Sequence, residues 1–134
     1  MIVSKSFGEK YRAKISNGSA ILHADVAEEK GGQGNGFRPH DLIEAGYAAC
    51  LSITARMALD RMGVDYDGVT VEVSLDRSVE DQAVFRWRLD ITGDVGEDVK
   101  RAVRRTVAKC PVNRTLSRSL SFLNVDGKEQ ESGK

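Results

Sequence analysis

Two cysteines are the residues of this chain whose type and surroundings are best suited to chemistry. Cys50 ends the small-residue run Ala45-Gly46-Tyr47-Ala48-Ala49, and Cys110 stands directly before Pro111. A pair of thiols can pass through a sulfenic acid to a disulfide, which a single thiol cannot form alone. These positions therefore predict thiol redox chemistry, against the simpler interpretation that both cysteines are unreactive core residues.

The local sequence favours Cys110 as the more acidic thiol. Pro111 suits the first position of a helix, so the Cys110 sulfur is expected near the unpaired amides and the positive end of that helix. Such surroundings lower the pKa of a thiol. Cys50 lies in the middle of a predicted helix and has no such neighbour. The residues alone therefore favour Cys110 as the attacking group.

The two histidines do not extend this pair into a metal site. His23 stands on a predicted strand and His40 at a predicted helix start, and neither has a ligand spacing to a cysteine. The sequence also has no Cys-x-x-Cys pair. Structural zinc sites depend on such clusters. We therefore predict no metal and no cofactor.

The charge of the chain is balanced, with 20 Lys and Arg residues against 20 Asp and Glu residues. No overall field draws such a protein toward nucleic acid or an anionic membrane. A basic cluster at Lys100, Arg101, Arg104 and Arg105 is predicted to be one solvated helix face. We expect no nucleic-acid partner.

The chain is predicted to be cytoplasmic. Its first eight residues lack the apolar stretch of a signal peptide, and no later window is expected to reach the apolar length of a membrane span. We therefore expect no membrane partner. In the cytoplasm two cysteines are not expected to form a lasting structural disulfide, and a transient disulfide is left open.

Short strands and a loop are predicted for the first part of the chain. Apolar and polar residues alternate over residues 2–8, 10–16 and 20–24, and Asn17-Gly18 separates the last two runs. Asn-Gly between alternating runs favours a tight hairpin, because both residues tolerate positive φ. The glycine-rich segment 28–38 is predicted to be a loop that leads into the next element.

A long helix is predicted from Pro39 to about Met62, ending at Gly63. Its alanines and glycine would let another helix approach closely. Cys50 lies beside a predicted apolar stripe, so we expect it to face the interior or a cleft. The members of this stripe are Leu42, Ala45, Ala49, Ile53 and Met57.

The remaining elements complete an α+β order. Alternating residues predict strands over 69–75 and 83–91, and helical spacing predicts helices over 97–109 and 111–120. A last short strand is predicted over 121–125. We expect a single domain over residues 1–126 and a polar, disordered C-terminal tail over 127–134.

Four motifs in this order resemble the signatures of the OsmC/Ohr family of thiol peroxidases. They are Gly31-Gly32-Gln33-Gly34, Pro39-x-Asp41-Leu42, Ala45-Gly46-Tyr47-Ala48-Ala49-Cys50 and Cys110-Pro111-Val112-x-x-Thr115-Leu116. The resemblance extends from about Tyr11 to Phe122. It implies an α+β fold with antiparallel sheets around a long central helix, in an intertwined homodimer with two active sites at the subunit interface.

The resemblance also implies an activity, a thiol-dependent peroxidase of the oxidative stress response that reduces organic hydroperoxides. It makes Cys50 the peroxidatic residue, oxidised to a sulfenic acid, and Cys110 the resolving residue that forms the Cys50-Cys110 disulfide. This reverses the order of reactivity that the local sequence favours. An external dithiol would then reduce the disulfide.

The groups that would activate Cys50 differ from the family pattern. His40 stands where the organic-hydroperoxide-resistance branch has a glutamate, and Asp41 offers a carboxylate one position later. Asp41 is therefore a candidate orienting carboxylate, or else an acid that stabilises its helix N-terminus. Arg12 or Arg38 is the candidate for stabilising thiolate and peroxide. These differences also leave an alternative, a non-catalytic OsmC-like protein that binds a small apolar ligand at the dimer-interface cleft.

Overall fold

The computed structural model of this chain describes residues 1–126 and 130–132 and has the predicted α+β element order. Its residues fall into two units, Met1–Ala45 and Gly46–Lys134, and the long helix α1 (Pro39–Arg61) runs through the boundary between them. Antiparallel sheets and this long helix confirm the predicted fold class. The single domain over residues 1–126 stays a prediction.

The first unit holds a three-stranded antiparallel sheet. Its strands β1 (Val3–Ser6), β2 (Ala13–Ser16) and β3 (Ile21–Ala24) follow one another in sequence order. The predicted hairpin joins β2 and β3, with Gly18 at φ 101°. The Asn17 side-chain oxygen accepts two backbone N–H groups of the turn, at 2.9 and 2.8 Å. The Asn-Gly pair thus closes the hairpin as its sequence predicts.

A buried carboxylate organises the glycine-rich loop between β3 and α1. Asp25 is 3% exposed. One of its oxygens accepts the N–H of Val26 at 2.7 Å, and the other accepts those of Gln33 and Asn35 at 3.1 and 3.2 Å. These bonds replace the water that the buried carboxylate loses. The loop therefore has a fixed path toward the start of α1.

The end of this loop folds back onto β3. Phe37 donates its N–H to the His23 carbonyl at 3.0 Å and accepts the Asp25 N–H at 2.9 Å. Gly36 has φ 85°, and a Cβ at this position would lie 2.3 Å from the His23 oxygen. Glycine is therefore required at position 36 by both conformation and space.

Removing the Asp25 carboxylate is expected to lower stability in a pH-dependent manner. Burial alone would raise its pKa, but the three backbone N–H groups and the charge of Arg38 outweigh it and hold the pKa below 3.8. A carboxyl whose pKa is lowered by folding stabilises the protein above its unfolded-state pKa, and this contribution is lost as the pH falls through the folded-state pKa. Asp25→Ala should therefore unfold at lower urea than the wild type near neutral pH, and the difference should shrink below about pH 4.

The control for this experiment is Glu29→Ala, which removes an exposed carboxylate from the same loop. It should leave the urea midpoint nearly unchanged at both pH values. If the urea midpoints of Asp25→Ala and wild type differ equally at neutral and acidic pH, the ionised Asp25 carboxylate is not the source of the stability.

The second unit is built on a long β-hairpin. Strands β4 (Gly68–Asp76) and β5 (Val84–Thr92) pair antiparallel over their full lengths. Strand β4 is one residue longer at each end than predicted, and β5 lies one residue later than predicted. Their register places apolar residues opposite each other on one face, Val69 with Ile91 and Val71 with Leu89. Charged and hydroxyl side chains alternate on the other face. This period of two is the pattern from which both strands were predictable.

Two helices and a small hairpin follow. Helix α2 (Glu97–Val107) and helix α3 (Pro111–Leu116) are separated at Cys110, and α3 ends earlier than predicted. Strand β6 (Ser121–Leu123) pairs with β7 (Gln130–Ser132). Strand β7 lies within the segment predicted as a disordered tail, so that prediction is wrong for these three residues. Residues 127–129 and 133–134 of the tail lie outside the described residues.

The core of the second unit joins α1, β5 and α2. The face of α1 that enters this core is not the stripe predicted from the sequence, because Ile53 and Met57 of that stripe are 54% and 55% exposed. The apolar and small residues of α1 lie on all sides of the helix, so their spacing does not select one face for burial. The buried members of the core are Tyr47, Leu51, Ala55, Ala58, Leu59, Leu89, Ile91, Val103, Val107 and Cys110.

By length and composition alone, α1 is long and apolar enough to cross a membrane. The segment Pro39–Met62 has 24 residues, a mean hydropathy of 1.3 in its most apolar window, and 28% of that window buried. The prediction that no window reaches the apolar length of a span is therefore wrong. A core helix of a soluble protein passes the same test, and α1 contributes five buried side chains to the core of the second unit.

Candidate functional site

The two cysteines meet in the second unit. Cys50 lies on α1 and is half-buried, packed against the core, while Cys110 is 1% exposed and lies at the junction of α2 and α3. Cys110 is the N-cap residue of α3, with extended backbone (φ −62°, ψ 159°), and Pro111 begins the helix. Proline at this position starts a helix because its missing N–H has no partner to lose. The sequence thus turns sharply at Cys110 and carries the next amides toward α1.

The first turn of α3 is directed at Cys50. The Val112 N–H donates to the Cys50 sulfur at 3.5 Å, whereas the Cys110 side chain makes no capping hydrogen bond to its own helix. An N–H donor stabilises a thiolate more than a thiol, because it interacts with the full negative charge. The helix end that the sequence suggested would activate Cys110 therefore also serves Cys50.

The Cys110 thiol is less acidic than its sequence predicted. Burial raises its pKa, and its interaction with Cys50 raises it further, while the backbone N–H groups of Asn113 and Val112 oppose the rise only in part. Desolvation disfavours a thiolate in the same way as any buried anion. The expectation of a lowered Cys110 pKa is wrong, because this thiol is buried in the core of the second unit.

A second polar contact joins the same two helices. The Tyr47 hydroxyl accepts a hydrogen bond from the Asn113 side-chain amide at 3.5 Å, and its ring packs edge-on against Phe85 at 5.3 Å. Tyr47 is 3% exposed. Burial raises the pKa of its hydroxyl, and both cysteines raise it further against the lowering effect of Asn113. The hydroxyl therefore lies within the electrostatic environment of the thiol pair and stays protonated at neutral pH.

Sequence reasoning did not identify Tyr47 or Asn113 as site residues. Tyr47 is the one large polar side chain in the small-residue run before Cys50, at a spacing of three residues, which places it one helical turn away. Asn113 follows Cys110 at the same spacing. This repeated spacing was the available signal, but only the packing of α1 and α3 shows that the two side chains touch.

Asp41 interacts with the start of its own helix. Its carboxylate accepts the backbone N–H of Arg38 at 2.9 Å, which is the contact that the third residue of a helix makes with the residue before the helix. Asp41 thereby satisfies one of the unpaired donors at the N-terminus of α1. This contact supports the helix-stabilising interpretation, and an orienting role toward Cys50 stays a prediction.

The two candidate arginines both lie in the first unit and differ in their contacts. Arg38 donates one guanidinium N–H to the Gly36 carbonyl at 3.1 Å. The Arg12 guanidinium lies over the Phe7 ring at 5.3 Å, and its Nε is buried without a hydrogen-bond partner among the described residues. Buried polar groups are nearly always paired in a complete structure. Arg12 thus has a buried donor without a partner among the described residues.

The histidines do not form a metal site with these groups. His23 packs against Phe7 in the first unit at a ring distance of 5.2 Å, and His40 is exposed at the start of α1. Among the described residues, no three His, Cys, Asp or Glu side chains lie close enough together to hold a metal ion.

Solved structures share this fold at low sequence identity. An OsmC-like protein from Mycoplasma pneumoniae matches with a TM-score of 0.71 at 18% identity, covering 87% of this chain and 85% of its own. An organic hydroperoxide resistance protein OsmC from Legionella pneumophila matches with a TM-score of 0.61 at 24% identity, covering 87% and 89%. The organic hydroperoxide resistance protein OhrB of Bacillus subtilis matches with a TM-score of 0.61 at 19% identity, also covering 87% and 89%.

Sequence comparison gives the family. No curated protein matches the chain. A family model described as OsmC-like protein matches residues 32–122, which is more than half of the chain and includes α1, both cysteines and α3. The chain therefore belongs to the OsmC-like protein family.

Proposed function

We propose that this protein is a thiol-dependent peroxidase that reduces organic hydroperoxides through Cys50 and Cys110. The observation that carries the proposal is the pairing of a half-buried Cys50, whose sulfur accepts the Val112 N–H, with a buried Cys110 of raised pKa. Of the two sulfurs, Cys50 is the one more open to a peroxide, and the raised pKa of Cys110 keeps that thiol protonated beside it. The names of the Legionella and Bacillus structures refer to organic hydroperoxide resistance, which supports this substrate class.

The first step oxidises Cys50. Its thiolate attacks the terminal oxygen of the hydroperoxide, so that an S–O bond forms as the O–O bond breaks. The sulfur becomes a sulfenic acid, and the peroxide is reduced to an alkoxide that takes a proton and leaves as an alcohol. The Val112 N–H stabilises the thiolate before this step.

The second step resolves the sulfenic acid. Cys110 loses its proton and attacks the Cys50 sulfur, forming the Cys50-Cys110 disulfide and releasing the hydroxyl group and the proton as water. An external dithiol then reduces the disulfide by exchange and is itself oxidised to a disulfide. We place the protein in the cytoplasm, where thiol reductants keep such a pair reduced between turnovers.

Arg12 is the arginine that we assign to the thiolate and the peroxide oxygens. Its support is the buried Nε that lacks a partner among the described residues. A guanidinium beside a thiolate lowers the thiol pKa and can orient a peroxide through paired N–H groups. Asp41 remains the candidate for the orienting carboxylate.

The working form of the protein is proposed to be a homodimer. The face of α1 that carries Gly46 and Cys50 continues into Ile53 and Met57, and both of these large apolar residues are more than half exposed in the second unit. A Cβ at Gly46 would meet nothing within 4 Å, so this face leaves room for a second helix. Small residues allow such close helix packing. Pairing of two α1 helices would cover this face and half-enclose Cys50.

Charging this face is expected to prevent dimer formation. Wild-type protein should elute as a dimer in size-exclusion chromatography with light scattering, and Ile53→Lys with Met57→Lys should elute as a monomer, because each lysine would have to lose its hydration in the interface. The matched control is Thr70→Lys, which adds a lysine to the exposed face of β4. A wild-type monomer at micromolar concentration, or a dimeric double variant, would contradict the proposed interface.

The activity is tested with cumene hydroperoxide and dithiothreitol. Reduced protein should catalyse loss of the peroxide at a rate proportional to enzyme concentration, and the free thiols should disappear when the dithiol is left out. If the thiols stay reduced and no peroxide is consumed, the peroxidase proposal fails. Thermal stabilisation by a small apolar ligand that persists in Cys50→Ser would then favour the non-catalytic alternative.

Two surface concavities of the described residues bear on that alternative. One concavity of about 340 Å³ is lined mainly by charged and polar side chains of β4 and β5, including Glu72, Arg86 and Arg88. Another, of about 450 Å³, includes Asp65 and Asp67 in its wall. Charged side chains thus line part of both concavities, whereas pockets for apolar ligands are lined predominantly by hydrophobic side chains.

A further inference from the structure

The thiol pair and the Tyr47-Asn113 pair repeat the same relation between α1 and α3. Tyr47 precedes Cys50 by one turn of α1, and Asn113 follows Cys110 by one turn at the start of α3. Tyr47 of α1 contacts the Asn113 side chain, and Cys50 of α1 accepts the Val112 N–H. The two contacts are therefore parallel connections between one pair of helices.

We propose that Tyr47 and Asn113 are positioning residues that hold the start of α3 against α1, so that Cys110 meets the Cys50 sulfenic acid before a second peroxide does. This inference rests on the proposed function and concerns the second step of its reaction. The hydrogen bond between the Tyr47 hydroxyl and the Asn113 amide, at 3.5 Å, is a polar link between α1 and α3 beside the sulfurs. The Tyr47 ring is itself held by Phe85 of β5, which fixes where the hydroxyl lies.

The short length of α3 makes such a link important. The helix has six residues and none of them is buried. Its attachment to the core depends on Cys110, on the partly buried Val112 and on the Asn113 contact. Short helices have little stability of their own and take their position from tertiary contacts. Removing one of these contacts should let the first turn of α3 move away from α1.

Such movement would affect the two oxidation steps unequally. Attack on the peroxide would lose only the Val112 N–H, one hydrogen bond to the Cys50 sulfur. Disulfide formation would lose more, because it needs the Cys110 sulfur within bonding distance of Cys50. A displacement of about 1 Å can slow a positioned reaction by about a hundredfold. The sulfenic acid would then persist, and a second peroxide would transfer another oxygen to it, giving a sulfinic acid and another molecule of alcohol.

The test compares Tyr47→Phe with Tyr66→Phe. Both substitutions remove a hydroxyl that accepts one hydrogen bond, and the Tyr66 hydroxyl binds Arg56 at 2.9 Å, away from the thiols. Reduced proteins are mixed with cumene hydroperoxide, and Cys50 sulfenic acid, disulfide and sulfinic acid are followed by quenched mass spectrometry. Tyr47→Phe should slow disulfide formation by about 10-fold to 100-fold, more than it slows sulfenic acid formation, and should raise the yield of sulfinic acid. Tyr66→Phe should match wild type.

A second variant keeps the inference testable if Tyr47→Phe folds poorly. Asn113→Ala should show the same ratio of products, and the double variant should be no worse than either single variant, because both remove one contact. Equal slowing of both steps, or products identical to those of Tyr66→Phe, would overturn the positioning role while the peroxidase activity stands. A wild type that forms no sulfenic acid would instead overturn the proposed function itself.

Discussion

Replacing Cys50 with serine is expected to abolish peroxide reduction. The serine hydroxyl cannot ionise near neutral pH and cannot hold the oxygen that a thiolate takes from the peroxide. Loss of a nucleophile lowers the rate by a factor on the order of 10⁴ or more. Consumption of cumene hydroperoxide with dithiothreitol should therefore fall to the rate measured without protein. The fold should persist, because serine is close to cysteine in size and position 50 is only half-buried.

The Cys50→Ser result is informative only beside a folded control. Its circular dichroism spectrum and urea midpoint should lie close to those of wild type. A folded Cys50→Ser protein that still consumes peroxide, with Cys110 oxidised, would mean that Cys110 is the attacking thiol. That outcome would restore the preference that the local sequence gave and contradict the roles proposed from the structure.

Replacing Cys110 with serine should separate the two steps of the reaction. Cys50 should still form a sulfenic acid, since its Val112 donor belongs to the backbone. No internal thiol would then be available to condense with it, so dithiol-supported turnover should fall by about tenfold or more, as expected when an intramolecular partner is replaced by a dissolved one. Cys50 should accumulate as sulfinic acid over repeated peroxide additions.

The measurement for Cys110→Ser is trapping of the sulfenic acid with dimedone, followed by intact mass. A dimedone adduct on Cys50 in high yield supports the resolving role of Cys110. Turnover equal to that of wild type at low dithiol concentration would contradict it, because the external dithiol would then reduce Cys50 directly. Serine at position 110 is buried, so a stability measurement belongs with this variant as well.

The alternation of apolar residues predicted the inward face of β4 and β5, whereas helical spacing did not predict the buried face of α1. In β4 and β5, pairs such as Val71 with Leu89 face the core and their neighbours face outward, so the period of two fixed both register and face. In α1, apolar residues surround the helix, and the predicted stripe of Ile53 and Met57 proved to be exposed. A helix that is apolar all round is expected to be covered on more than one side.

The site was predictable in its residues but not in its electrostatics. Local sequence placed Cys110 correctly before a helix start, yet which sulfur receives the helix amides depends on how α3 packs against α1. That packing brings the Val112 N–H to Cys50, and burial in the core of the second unit raises the pKa of Cys110. The contact of Asn113 with Tyr47 joins residues 66 positions apart and has no local signal in the sequence.

The role of Asp25 shows a similar limit in the first unit. The glycine-rich segment 28–38 predicts a loop, because glycines leave the backbone many conformations. The prediction is wrong for Glu28–Lys30, which form a short 3-10 helix. The segment does not predict that one buried carboxylate selects among these conformations by accepting three backbone N–H groups. That information lies in the folded path of the loop.

The central claim is that peroxide converts the Cys50 and Cys110 thiols into one disulfide, and peptide mass spectrometry tests it most directly. Reduced protein is treated with one equivalent of cumene hydroperoxide, blocked with iodoacetamide and digested with trypsin without reduction. The account predicts that the peptide ending at Arg56 and the peptide from Cys110 to Arg114 are recovered as one species with two hydrogens fewer than their sum. Recovery of both peptides carrying the iodoacetamide label, with the peroxide unconsumed, would contradict it.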